Sequence, residues 1–171
     1  MQQQGMTLME LILTVAIMAL LAAIAIPNFA RQVEQHRTRS TTEEIMAAIQ
    51  LARTSAVTQN QRATLRNRGS WQAGWQAFTD SNNNGQLDAG ERELFSSGPV
   101  SGVRVNANQP LRNYISFIGT GEARYAGSAG GAFQAGTMEI CSESLDSGFS
   151  LVLARSGRVR ISRLTAAECS D

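Results

Sequence analysis

The stretch Met6-Thr7-Leu8-Met9-Glu10-Leu11-Ile12-Leu13-Thr14-Val15-Ala16-Ile17-Met18-Ala19-Leu20-Leu21-Ala22-Ala23-Ile24-Ala25-Ile26-Pro27 sets the class of the protein. Apart from Thr7, Glu10 and Thr14 it is apolar as far as Ile26, long enough to span a bilayer as a helix. The five residues before it, Met1 to Gly5, are short, polar and free of Lys or Arg. A secretory signal has a charged start, a shorter apolar region and a small-x-small cleavage site after it. Here the apolar run leads straight into Pro27. Glu10 is the discordant residue: a carboxylate near the head of a spanning helix costs several kcal/mol unless it is paired. A plain membrane anchor leaves that residue unexplained.

Gly5-Met6-Thr7-Leu8-Met9-Glu10 followed by an apolar run resembles the processing signal of type IV prepilins. The resemblance implies that a prepilin peptidase cuts after Gly5 and methylates the new amino terminus at Met6. Counted from Met6, Glu10 is the fifth residue and Pro27 the twenty-second, as in that family. It further implies an assembly role for Glu10, which would neutralise the amino group of Met6 on a neighbouring subunit inside an apolar bundle. Two features depart from the pattern. Met6 stands where phenylalanine is usual, and the leader lacks a basic residue while Arg31, Arg37 and Arg39 follow the span, so the positive-inside rule does not support the expected orientation.

Helical spacing continues past the apolar run. Ile45, Ala48, Ile49, Ala52 and Ala56 fall on one face, leaving Glu43, Glu44, Gln50 and Arg53 for the others. Ser40-Thr41-Thr42-Glu43-Glu44 reads either as a capping box opening a fresh helix or as a polar stretch within a continuous one. Pro27 allows a kink. A rod over about residues 7 to 58 would be on the order of 75–80 Å long.

Beyond residue 60 the pattern changes to short strands between turns. The candidates are Ala63–Arg66, Gly74–Thr79, Glu93–Phe95, Val103–Asn106, Tyr114–Ile118, Thr137–Cys141, Phe149–Ala154 and Arg158–Ser162. The glycine-rich stretch from Gly119 to Gly136 reads as a mobile loop. The expected organisation is a leader over 1–5, a transmembrane and filament-core helix over 6–27, its amphipathic second half over 28–60, and a β-rich domain over 61–171. The fold class is α+β, pilin-like: a long N-terminal helix packed on antiparallel sheets. Gly74-Trp75-Gln76-Ala77-Phe78-Thr79-Asp80 and the terminal Ser156-Gly157-Arg158-Val159-Arg160 resemble the FimT/GspH branch of minor pilins and pseudopilins. Residues 97 to 136 match that branch only loosely.

The net charge of +1 supplies no global field, so any electrostatic function is local. All 15 basic residues are arginine. Four of them, Arg155, Arg158, Arg160 and Arg163, lie within Phe149–Arg163, a stretch without an acidic residue. In a strand Arg158 and Arg160 share a face at a spacing of about 6.6–6.8 Å, with Val159 and Ile161 on the other. That arrangement suits neighbouring phosphates of one nucleic-acid strand; the bland alternative is a solvated strand face. Arg158 and Arg160 also resemble the Gly-Arg-x-Arg motif of FimT-like pilins, which implies DNA binding in natural transformation.

Cys141 and Cys169 are the only cysteines and lack a Cys-x-x-Cys spacing. In an extracytoplasmic domain they suit a disulfide that ties the tail back near Cys141; two free buried thiols are the alternative. The turn Asp80–Glu91 has oxygen side chains at Asp80, Asn82, Asn84, Asp88 and Glu91, with Gly85 at the sixth position, which is the register of a calcium loop. Strand-like flanks and two asparagines favour an Asx-rich hairpin turn that needs no metal. Otherwise no cofactor is expected. His36 is the only histidine and lies in a charged helical segment, and Trp71, Trp75 and Phe78 read as core packing rather than a base-stacking platform. The chain is therefore expected to be no enzyme. The reading favoured is an inner-membrane, single-pass minor pilin with its globular domain in the periplasm. Its partners would be prepilin peptidase, other pilins and DNA. The alternative is a structural, GspH-like pseudopilin of type II secretion without affinity for DNA.

Overall fold

The computed structural model describes residues 8–128 and 130–169 of the chain. Helix α1, Leu8–Gln59, runs for 52 residues without a break, a length of about 78 Å. The Ser40–Glu44 stretch is thus internal to one helix. The Thr38 and Thr42 hydroxyls donate back to the carbonyls of Glu34 (3.0 Å) and Thr38 (2.8 Å). Those bonds satisfy the hydroxyls within the helix, so they do not compete with it for backbone groups at a cap. Gln59 is followed by Asn60 at φ 47°. Gln61 N–H donates to Ala56 O (3.1 Å) and Asn60 N–H to Val57 O (3.4 Å), a Schellman stop with asparagine in the left-handed position.

The two halves of α1 have opposite environments. From Leu8 to Phe29 the large apolar side chains are exposed, and among the described residues this is the one helix long and apolar enough to cross a membrane. In the second half, Ile45, Ala48, Ile49, Ala52 and Ala56 are buried. Three alanines in that stripe let the helix axis approach the sheets closely, while the two isoleucines fill the space between them.

The stripe packs on two four-stranded antiparallel sheets. The first comprises β1 (Ala63–Asn67), β2 (Trp75–Thr79), β3 (Glu93–Ser96) and β5 (Tyr114–Phe117), in the order β3-β2-β1-β5. The second comprises β4 (Val103–Ala107), β6 (Gly136–Ser142), β7 (Gly148–Leu153) and β8 (Val159–Leu164), in the order β4-β6-β7-β8. Each expected strand is present to within a residue or two. A four-residue helix, α2 (Ala166–Cys169), follows β8. Alternation supplies the core: Leu65 pairs with Ala77 and Ile115 across the first sheet. Met138 pairs with Leu151, and Val105 with Ile140, across the second. Trp71, Trp75 and Phe78 are buried.

The segment read as a mobile loop is instead tied down. Gln134 is fully buried. Its Nε2 donates to Pro110 O (2.6 Å) and Tyr114 O (2.7 Å), and its Oε1 accepts from Ser116 N–H (3.0 Å). Arg124 N–H adds a bond to Ser116 O (2.9 Å). The side-chain amide and this short pairing satisfy the open edge of β5, whose backbone groups would otherwise be buried unpaired. Glycine content alone does not reveal a glutamine acting as a strand neighbour.

Candidate nucleic-acid interface

The arginine segment forms a hairpin at the edge of the second sheet. Residues Ala154 to Arg158 make the turn, closed by Ala154 N–H to Arg158 O and Gly157 N–H to Ala154 O, both 2.9 Å. Gly157 has φ 76° and packs against Gly121 O and Phe117, so no other residue fits there. The turn is also pinned from the helix. Arg53 Nε donates to Gly121 O (3.0 Å) and Arg53 Nη2 to Ser156 O (3.1 Å). Helical spacing sets Arg53 off the apolar stripe. Its position one turn after Ile49, beside the buried stripe, was the available sign that it points toward the sheets.

The four arginines of the hairpin are all exposed, but they do not form one group. Arg160 pairs in register with Val152, and Arg163 with Phe149. An odd separation along a strand puts them on opposite faces. Arg158 precedes β8 by one residue and keeps the parity of Arg160. Arg163 instead lies on the helix side, lining a groove of about 320 Å³ with His36, Arg39 and Phe149. Arg155 sits in the turn, its guanidinium 5.9 Å from the ring centroid of Phe133. Among the described residues no carboxylate comes within 4.0 Å of any of the four; the ion pairs present are Glu34–Arg37, Arg39–Glu43, Arg68–Glu93 and Glu122–Arg124. Arg158 and Arg160 thus present two uncompensated guanidinium groups on one face of an edge strand.

The far end of the hairpin is anchored covalently. Cys141 and Cys169 form a disulfide, with Cα atoms 5.7 Å apart, that fastens α2 to β6. Arg104 Nη2 donates to Cys169 O (2.6 Å). Glu168 Oε2 accepts from both N–H and Oγ1–H of Thr165, each at 2.7 Å, a capping box for α2. These bonds to Thr165 lower the pKa of the Glu168 carboxyl.

The turn Asp80–Glu91 directs its acids onto its own chain. Buried Asp80 accepts from Asn84 N–H (3.0 Å), Gly85 N–H (3.0 Å) and the Thr64 hydroxyl (2.8 Å). Glu91 accepts from Ser81 N–H (2.8 Å) and Asp88 N–H (3.1 Å). Asp88 accepts from Asn82 Nδ2 (2.8 Å) and Asn84 Nδ2 (2.6 Å), bonds that depress its pKa. These are the contacts of an Asx-rich turn. Among the described residues no group of three or more His, Cys, Asp or Glu is gathered to hold a metal. His36 is exposed on α1. Glu10 lies in the first turn of α1, and the expected cleavage and methylation residues, Gly5 and Met6, lie outside the described residues.

Comparison with known proteins agrees with this architecture. Residues 41–165 match the family described as type II transport protein GspH, and residues 1–26 match the prokaryotic N-terminal methylation motif. The structure is similar to the type IV minor pilin FimU of Pseudomonas aeruginosa. That match has a TM-score of 0.57 at 20% identity and covers 75% of this chain and 90% of FimU. It is also similar to the minor pseudopilin EpsH from the type 2 secretion system of Vibrio cholerae. Here the TM-score is 0.53 at 12% identity, covering 77% of this chain and 99% of EpsH. At these identities the two likenesses establish the fold and do not separate pilus from secretion system. No curated protein sequence matches the chain significantly.

Proposed function

The chain belongs to the GspH family of type II transport proteins, and on that premise we propose that it is a minor pilin that binds DNA through Arg158 and Arg160. The family, the methylation motif and the fold make it a pilin or pseudopilin of the type IV pilus or type II secretion kind, a structural subunit and not an enzyme. The finer reading is ours. Prepilin peptidase removes residues 1–5 and methylates Met6. The apolar first half of α1 holds the subunit in the inner membrane, with the β-rich domain in the periplasm, until the subunit joins a filament. There Glu10 meets the amino group of a neighbour's Met6, so that neither charge is left alone in the apolar bundle.

One observation carries the DNA reading: Arg158 and Arg160 are exposed on the same face of an edge strand, with no carboxylate within ion-pairing distance among the described residues. With a net charge of +1, attraction to a polyanion must come from such a local patch. Guanidinium groups at strand spacing contact phosphates and read no bases, so binding tolerates any sequence. This suits capture of DNA during natural transformation. The test is binding of duplex DNA by the full chain in zwitterionic detergent, compared with Arg158→Ala/Arg160→Ala. The proposal expects at least a ten-fold loss in the variant at low salt; equal affinities would remove the hairpin from the interface.

A second reading is a pseudopilin of type II secretion that contacts other pseudopilins and has no affinity for DNA. The family description favours it. A wild-type chain that binds no DNA at low salt would select it.

A further inference from the structure

Few large hydrophobic side chains of the β-rich part are open to solvent. They include Phe95 and Phe133. A third, Ile161, lies on β8 itself; Phe133, 42% exposed, is the aromatic one beside the arginine turn. Backbone bridges pair Arg124 with Phe133 and Phe117 with Ala123. The Arg124 guanidinium lies 4.1 Å from the Phe133 ring centroid. Arg124 is itself fixed, its Nε donating to Glu122 Oε2 (3.1 Å) and its Nη1 to Gly131 O (3.0 Å). Ala123 N–H donates to Arg155 O (3.1 Å), which joins this segment to the β7–β8 turn. Arg53 reaches the same junction through Gly121 O and Ser156 O. The exposed Phe133 ring is therefore flanked by the guanidinium groups of Arg124 and Arg155, with Glu122 paired to Arg124.

A ring flanked in this way loses little freedom when a flat partner stacks on it, and the surrounding cations favour a partner that is also an anion. An unpaired nucleotide has both properties. In a duplex the base faces are occupied by neighbouring bases, so duplex DNA can use the arginines but not the ring. Resting on the nucleic-acid reading above, we propose that Phe133 stacks an unpaired base. The hairpin surface then prefers single-stranded nucleic acid, with the phosphates on either side of that base directed to Arg155 and Arg158.

The test measures fluorescence anisotropy of a labelled oligothymidylate and of a duplex of equal length, titrated with the full chain in zwitterionic detergent. Wild type binds the oligothymidylate more tightly. Phe133→Ala weakens that complex about ten-fold while duplex affinity stays within about two-fold. Phe133→Leu, which keeps apolar bulk without a π face, behaves like the alanine variant, and Phe133→Trp retains the preference. Equal effects on both probes, or none on either, overturn the stacking role while leaving the phosphate contacts standing. Failure of wild type to bind either probe removes the nucleic-acid reading itself, and this inference with it.

Discussion

Reduction of the Cys141–Cys169 bond isolates one energetic contribution, because it adds no bulk and changes no other side chain. The bond joins residues 28 apart in sequence. Closing a loop of that length in the unfolded chain removes entropy worth about 3.5 kcal/mol at room temperature. Within the folded state the same loop contains β7 and β8, which stay paired over six registered positions from Gly148–Leu164 to Leu153–Val159. The reduced protein should therefore keep its hairpin under native conditions and lose stability mainly through its unfolded state. Urea unfolding of the full chain in detergent, followed by intrinsic fluorescence, reads this directly. The two tryptophans, Trp71 and Trp75, are both buried in the β-rich part. With a slope of about 1.5–2 kcal/mol per molar urea, the midpoint should fall by about 2 M on reduction. A fall corresponding to less than about 1 kcal/mol would refute the loop-entropy reasoning. Loss of native fluorescence on reduction without denaturant would show that the bond holds the fold itself.

Gln134→Leu keeps the volume but strands the buried Ser116 N–H and removes both bonds to Pro110 O and Tyr114 O. It should cost about 2–4 kcal/mol in urea unfolding and speed amide exchange at Ser116. Asp88 has its pKa lowered by the Asn82 and Asn84 amides, and Glu168 by Thr165. Their contribution is therefore complete above the unfolded carboxyl pKa and disappears as pH falls through the lower folded value. A carboxyl NMR titration should find both groups ionising below their ordinary values, and an unshifted Asp88 would contradict the amide contacts. Adding calcium to metal-free protein should leave the melting temperature unchanged, since the Asp80 and Glu91 oxygens already serve the turn; a rise of several degrees would mean that the turn rearranges around the ion.

Legibility in the sequence followed the length scale of the interaction. Periodicity over tens of residues disclosed α1, and alternation disclosed the eight strands, because each records burial of one face. The buried stripe from Ile45 to Ala56 was readable for the same reason. The parity that groups Arg158 with Arg160 was readable too, and applied to Arg163 it gives the opposite face. The bonds made by Gln134 and Arg53 were not readable, although helical spacing does set Arg53 beside the buried stripe. Each is a polar side chain whose partners are backbone carbonyls or N–H groups far along the chain, and such partners leave no pattern in composition. Phe133 was not readable because its setting depends on Arg124 and Arg155, which approach its ring only through tertiary contacts such as the Arg124–Phe133 bridge.

The most direct test of the central claim is the dependence of duplex DNA affinity on salt, measured for wild type and for Arg158→Ala/Arg160→Ala. Each phosphate neutralised contributes about 0.9 to the slope of log affinity against log salt. If both arginines contact phosphates, the variant's slope should be shallower by about 1.8. Parallel slopes, or a wild-type affinity that ignores salt, would contradict the account and leave a filament subunit without a DNA site at this hairpin.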